Sequence, residues 1–469
     1  MDVTGIDGRC ALPTLAGLDR RLGRRYSDLF LTHLSSADKL AAGFHAHPAV
    51  GPSFSATQAA WRFFNNDAVT LPVLAGPLLS CAAKMIPSTC DDWLLVAMDW
   101  SNLHFNGHES KAHRKELSRR KDLGYELMTA LAISDRDGAT IAPLCLELIA
   151  GNGVHSTRSP KPLENSSPLD GLLPVMNHVR DVLDKGPAGK PPVFIIDREA
   201  DSVGHFRRWE LASHRFIVRA DDQPNVVYNL KRMPLGEVAD ALKTAGAFTF
   251  ARVVDYKGTP GQQQFVAEAP VVLERPAQTQ RIDKKTGKTV KQSIAGVPLL
   301  VRLVVSEVRD DKGLVLARWL LLTNLPALVD AVTIALWYYW RWRIESYHKL
   351  LKGAGQQVEQ WQQETPEALA RRLAVAAMAC VVVWTLARDT SAPAAQLRDV
   401  LVKLSGRQIK RGKNRRTFTE PALLAGLGIL IPMLLLLEQY DLEEIRAITR
   451  QLLPGLLQQS ISNPGREDV

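Results

Sequence analysis

This sequence predicts an α/β fold, a sheet-built core with helical regions at both ends of the chain, and three observations carry that prediction. Residues 93–98 (WLLVAM) and 193–196 (VFII) are apolar runs too short for helices and suited to strands buried on both faces. Residues 125–134 and 140–148 alternate or run apolar around the turn Asp135-Arg136-Asp137-Gly138, as an antiparallel hairpin beside the first strand would. The first 80 residues and most of those after about 329 carry helical periodicity. With 469 residues, 46% of them hydrophobic, the chain can bury a large core, falls outside the disordered class and divides into two to four domains.

The elements follow in order. A basic opening over 19–25 (Arg20, Arg21, Arg24, Arg25) precedes a capped helix over 55–66 that carries Trp61, Arg62, Phe63 and Phe64. Such a helix can set Arg62 on DNA, and an ordinary helical subdomain with a solvated basic face has the same pattern. Residues 156–170 and 185–192 are loops by their Pro, Gly and Ser content. Strands at 215–218, 248–254, 298–305 and 314–322 predict a β-rich insertion, within which 281–291 (RIDKKTGKTVK) is an exposed basic hairpin tip. One long helix covers 329–351 and a helical tail follows. The uncharged stretch 421–437, 17 residues split by Pro432, and the stretch 373–386 are short for membrane spans. Both read as buried or dimer-forming helices, so no membrane partner is expected. The division is a helical domain at 1–80, an α/β domain at 81–370 with its insertion at about 205–325, and a helical region at 371–469 assigned to dimerisation.

Lys and Arg outnumber Asp and Glu by 58 to 49, a formal charge of +9 with a pI near 9.3, which favours a polyanionic partner such as nucleic acid. The cluster Arg407, Lys410, Arg411, Lys413, Arg415, Arg416 is either a salt-dependent contact to DNA backbone or a solvated loop. Five separated cysteines (Cys10, Cys81, Cys90, Cys145, Cys380), with no CxxC pair, suit reduced thiols in a cytoplasmic protein. The opening residues lack the order of a secretion signal, and the sequon at Asn165 is expected to be inert. HExxH, GxSxG and GxGxxG motifs are missing, and Ile282 stands where the phosphate loop suggested by Gly287-Lys288-Thr289 would need glycine. No nucleotide cofactor is therefore expected.

Both buried strands end in an aspartate, Asp99 and Asp197. Carboxylates there are costly unless they bind a metal or donors, although many strand-terminal aspartates only cap the next turn. The segment 337–352 reads WYYWRWRIESYHKLLK. On a helix Tyr338, Arg341, Glu345, His348 and Lys352 fall within about 80° of one another, beside an apolar stripe of Trp340, Ile344, Tyr347 and Leu351. A solvated face of alternating charges has the same spacing. A single acid among Arg341, Arg343, His348, Lys349 and Lys352 is also what phosphoryl transfer on DNA needs, one carboxylate for a metal and cations for phosphates.

Tyr338, Arg341, Glu345 and Lys352 match all four positions of Y-x2-R-x3-E-x6-K, and the chain here resembles the DDE transposases of bacterial insertion sequences and composite transposons. Asp197-Arg198-Glu199-Ala200-Asp201 is similar to that family's second-aspartate segment, and Met98-Asp99-Trp100-Ser101 to its first. Asp19-x-Arg21-Leu22-x2-Arg25 and the segment 60–66, with Trp61 where Tyr is usual, resemble its end-recognition domain. The resemblance spans roughly 15–390. It implies a ribonuclease-H-like core, a mixed sheet flanked by helices and interrupted by the β insertion before the last carboxylate. It also implies that Asp99, Asp197 and Glu345 are catalytic and hold two divalent ions, Mg2+ with Mn2+ able to substitute, as hard oxygen ligands do. Tyr338, Arg341 and Lys352, with Lys349 beside them, would then contact phosphates at the element's ends, and Arg219 would do so by the same resemblance. Trp319 matches the segment that receives a base flipped during hairpin formation, and it equally suits a core position on a buried strand. The implied activity is cut-and-paste transposition by a homodimer on paired terminal repeats and target DNA.

Overall fold

A large mixed sheet flanked by helices carries the chain; the computed structural model describes residues 15, 17–35, 53–118, 121–165, 167–185, 189–282, 289–407 and 418–452. Cys10, Ser166 of the sequon, the hairpin tip 283–288 and the basic run from Lys410 to Arg416 lie outside the described residues. Helix α1 (Arg20–Ser35) begins where Asp19 Oδ1 accepts the backbone N–H groups of Arg21 and Leu22 at 2.8 and 3.0 Å. Helix α2 (Ser53–Phe64) starts two residues earlier than expected, and α3 (Leu71–Thr89) leads into the sheet.

Strand β1 (Leu94–His104) is followed by the short β2 (Lys115–Glu116) and by β3 (Leu123–Ser134), β4 (Thr140–Ala150) and β5 (Gly153–Ser156), an antiparallel meander. Helix α4 (Pro168–Asp184), capped by Ser167, then leads to β6 (Pro192–Ile196), α5 (Val203–Leu211) and β7 (Arg215–Ala220). β6 runs parallel to β1, and β7 parallel to β6. Leu94 to Met98 and Val193 to Ile196 are completely buried, as their uninterrupted apolar runs require.

The β-rich region adds β8 (Asn225–Tyr228), β9 (Lys231–Pro234), α6 (Leu235–Thr244), β10 (Thr249–Tyr256), β11 (Thr259–Leu273), β12 (Ala277–Ile282), β13 (Thr289–Ile294), β14 (Leu299–Arg309) and β15 (Val315–Thr323). Rather than forming a sheet of its own, most of it extends the first one. The order among the described residues is β5-β4-β3-β1-β6-β7-β15-β14-β11-β8-β9, with β10 also on β11 and only β12–β13 separate. The long β11 escapes a reading by pattern because Pro260, Gly261, Pro270 and three glutamines break up its sequence. Pro270 sits where that side of the strand has no partner, between the pairing with β10, which ends at Val266, and that with β8 at Val272.

The expected single helix over 329–351 is two, α7 (Ala331–Trp340) and α8 (Trp342–Leu351), which meet at Arg341. There the hydrogen bonds tighten to three-residue spacing, Arg341 N–H to Tyr338 O and Ile344 N–H to Arg341 O. The chain closes with α9 (Pro366–Arg388), α10 (Ala392–Ser405), α11 (Glu420–Leu437) and α12 (Leu442–Leu452); Thr365, Ser391 and Thr419 cap the first three, each with proline in the first turn.

Helices α3 and α9 pack on β4 and on each other, α8 packs on β1, and α1 rests on α9 and α11. The stretch 373–386 is therefore internal core and not a dimer surface: Leu373 to Val381, Val383 and Trp384 are all buried. The second half of α11 is the opposite case, with Ile429, Met433, Leu434, Leu436 and Leu437 exposed. Among the described residues α3, α9 and α11 are long and apolar enough to cross a membrane by length and composition. Cys81, Cys90, Cys145 and Cys380 are buried.

The turn between β3 and β4 reaches the α7–α8 junction. Gly138 has φ +68°, a Cβ there would meet the Trp340 ring at 2.5 Å, and its carbonyl accepts Arg343 Nε at 2.9 Å. Gly138→Ala is expected to destabilise the protein by about 2 kcal/mol through backbone strain and the displaced indole. An unchanged midpoint in urea denaturation would show that the turn yields without moving Trp340.

Candidate active site

The pairing of β1 with β6 brings the two aspartates together. Leu94 faces Pro192 and each later pair keeps that offset to Met98 and Ile196, so Asp99 and Asp197 follow side by side. Asp99 is not at a strand end as expected. β1 continues to His104 because it pairs with β3 along its whole length, whereas β6 stops at Ile196 and Asp197 caps the following turn, Arg198–Ala200. Asp99 Oδ1 accepts the backbone N–H of Trp100 at 2.9 Å, and Asp197 Oδ1 that of Arg198 at 2.7 Å.

Glu345 comes from α8, which presses Ile344, Tyr347, Leu350 and Leu351 into the core and turns the next face toward β1. The three carboxylates converge on one guanidinium. Arg341 Nη1 donates to Asp99 Oδ2 at 3.0 Å, and Nη2 donates to Asp197 Oδ2 at 3.2 Å and to Glu345 Oε1 at 3.3 Å. The Tyr338 hydroxyl donates to Asp197 Oδ1 at 3.2 Å, and Arg219 Nη1 lies 3.6 Å from the same oxygen.

Three acids against one buried guanidinium leave excess negative charge. Burial pushes the Asp99 carboxyl above the usual range; Arg341 opposes the shift and the charge of Asp197 adds to it. Glu345 is likewise raised by burial and by Asp99, against the pull of Arg341 and Lys349. Asp197 feels burial too, but Arg341, the Arg198 N–H, Arg219 and Tyr338 outweigh it and hold its carboxyl low. Glu199, two residues on, is raised by partial burial, Asp99, Asp197 and Glu126. It was not singled out in the sequence, although it lies in the same 197–201 segment.

Three carboxylates of this kind are hard oxygen donors suited to a divalent cation. Among the described residues no group of three or more His, Cys, Asp or Glu side chains is drawn together as a ready metal cage, since here the acids close on Arg341 instead.

Beside the carboxylates opens a cavity of about 640 Å3 lined by Arg219, Tyr256, Trp319, Trp340, Trp342 and Arg343, among others. Trp319 is half-buried and forms part of this wall, edge-on to Tyr256 at 6.1 Å, rather than sitting in the core. Tyr256 reaches the wall from β10, and Trp342 and Arg343 reach it from α8, a meeting that a linear pattern does not reveal. Lys352 follows the last residue of α8, bonded to the Asn102 carbonyl and 3.7 Å from Glu359, while Lys349 is exposed beside Glu345. Buried His348 leans on Thr129, the residue opposite Asp99, with Nε2 3.4 Å from Oγ1. Arg62 stands apart on α2, exposed next to Trp61, while Phe63 and Phe64 anchor that helix in the core.

No family model matches the chain. Among solved structures, the cryo-EM structure of a piggyBac transposase synaptic complex with hairpin DNA is similar over 89% of this chain and 67% of that one, at 10% identity and a TM-score of 0.30. The superposition is loose.

Proposed function

We propose that this chain is a DNA transposase of the DDE type, a metal-dependent enzyme that cuts at the ends of a mobile element and joins them to target DNA. The observation that carries the reading is the convergence of Asp99, Asp197 and Glu345, from three elements far apart in sequence, within reach of one guanidinium. Two further features support it. The order β4-β3-β1-β6-β7, a meander followed by two parallel strands, suits a ribonuclease-H-like core, and Tyr338, Arg341, Glu345 and Lys352 keep the family's spacing.

In this reading Asp99, Asp197 and Glu345 hold divalent ions, Mg2+ or Mn2+, whose charge when bound neutralises the phosphate under attack. Tyr338 orients Asp197 through its hydroxyl, and Arg219, which also lines the cavity, brings its charge to the same oxygen. Trp319 and Tyr256 offer stacking faces to a base turned out of the duplex, worth about 1–3 kcal/mol per base. Lys257, Arg343 and Lys349 hold phosphates nearby, and Arg62 with Trp61 contacts the element's end. The exposed apolar residues of α11 give a second copy a surface on paired ends, in the cytoplasm; an unchanged monomer in light scattering on paired-end DNA would rule the dimer out.

The deciding experiment incubates the protein with end-labelled DNA carrying the repeats that flank its gene, in Mg2+ or EDTA, with 2-aminopurine beside the cut. Metal-dependent cutting at the repeat boundary, fluorescence from an unstacked base and joining to added target DNA are expected. Binding without cutting would leave a non-catalytic DNA-binding relative, and cutting with no end preference or joining would leave a simple nuclease.

A further inference from the structure

The guanidinium at the centre of the carboxylates has a consequence that extends the proposed function and rests on the reading of Asp99, Asp197 and Glu345 as metal ligands. We infer that Arg341 is the resident cation of this site, and that it must withdraw before a divalent ion binds, so that metal loading and the release of that side chain are one coupled event. The oxygens it occupies, Asp99 Oδ2, Asp197 Oδ2 and Glu345 Oε1, belong to the three acids that would ligate the ion.

A guanidinium spans such oxygens with N···O contacts of 3.0–3.3 Å, whereas Mg2+ draws its ligands in to about 2.1 Å. Both cannot use the same lone pairs in the same space. Three carboxylates against one guanidinium keep an excess of negative charge that draws a divalent ion in, but an ion seated directly beside the guanidinium would repel it at close range. Arg341 is only 3% exposed, so solvent does little to screen that repulsion.

The surroundings favour release. The Arg341 Nε is buried and has no hydrogen-bond partner among the described residues, so the guanidinium is held through its Nη groups on the three carboxylates, with Tyr338 beside them. Arg341 stands at the break between α7 and α8, where the hydrogen bonding tightens and the two helices meet. The Tyr338 and Trp342 rings lie 5.8 and 5.7 Å from its guanidinium carbon, and Trp342 leads on to the cationic, aromatic cavity. A guanidinium released toward that cavity meets the place where the proposed DNA phosphates would lie.

Mn2+ binding to the full chain without DNA, followed by electron paramagnetic resonance of free Mn2+ and by calorimetry, tests this apart from activity. Arg341→Gln removes the charge and keeps polar contact, and is expected to bind Mn2+ at least about tenfold more tightly than the wild type. Its metal-free melting temperature should fall, and Mn2+ should raise it by more than in the wild type. Arg341→Lys keeps a buried charge without the fork and should bind with intermediate affinity; if the glutamine variant does not fold, the lysine variant decides alone. Equal or weaker Mn2+ affinity in the folded variant would overturn the displacement while leaving the carboxylates as ligands. No Mn2+ binding by the folded wild type or the folded variants would overturn the metal-site reading itself, and the displacement with it.

Discussion

Glu345→Gln is expected to abolish DNA cutting, by more than about a thousandfold, while DNA binding and the fold survive. A metal-bearing carboxylate supports several kcal/mol of charge stabilisation in the transition state, and about 4 kcal/mol corresponds to that factor. The amide keeps the shape of the acid and removes the charge. What remains in the folded protein changes little: among the described residues Glu345 hydrogen-bonds Arg341 at 3.3 Å, and Arg341 retains Asp99 and Asp197. Helix α8 stays docked through Ile344, Tyr347, Leu350 and Leu351, so stability should move by no more than about 1 kcal/mol. Single-turnover cleavage of end-labelled DNA, alongside gel-shift binding and a thermal melt, measures all three. Cutting at the wild-type rate would remove Glu345 from the catalytic assignment.

Acid should destabilise the protein well above the range in which carboxylates usually titrate, because two histidines are buried in neutral form. Burial first, then the charge of Arg372, lowers His33 to about 3, against its hydrogen bond to Gln356. Burial, with Lys352 and Arg341, lowers His348 to about 3 as well. A base held below its unfolded value of 6.5 contributes its stability fully above 6.5. That contribution is lost as the unfolded chain takes up protons the folded one refuses, down to the folded value near 3. Between pH 7 and pH 4 each should remove about 3 kcal/mol. Asp99 and Glu345, held high, work in the opposite sense near pH 4–5, so the clearest measurement is the difference between wild type and His348→Gln in urea at both pH values. The variant should lose about 3 kcal/mol less on acidification. An identical loss would show that His348 does not remain neutral in the folded state.

How far the sequence alone reaches depends on how local each signal is. Leu94 to Met98 and Val193 to Ile196 are unbroken apolar runs because both faces of those strands are covered, so the strands leading to Asp99 and Asp197 could be read directly. The hairpin around Asp135 to Gly138 and the face shared by Tyr338, Arg341 and Glu345 were legible for the same reason, since period two and period 3.6 are properties of neighbouring residues.

Periodicity is silent on where β1 ends, which its antiparallel pairing with β3 decides, and on the interruption at Arg341. That residue keeps helical backbone angles while its side chain is drawn to acids on two other elements. Composition cannot separate α9 from α11 either: both are apolar, but α9 lies between the sheet and other helices, whereas the second half of α11 has no such cover among the described residues.

The sequence by itself determined which segments are strands and helices over most of the chain, and which acids merited attention. Only the tertiary structure decided that the acids meet, that a cation of the chain's own stands among them, and that Trp319 faces a cavity. Those facts depend on strand register and on helices docked from distant parts of the chain, and that long-range packing leaves no mark on the residues next to them.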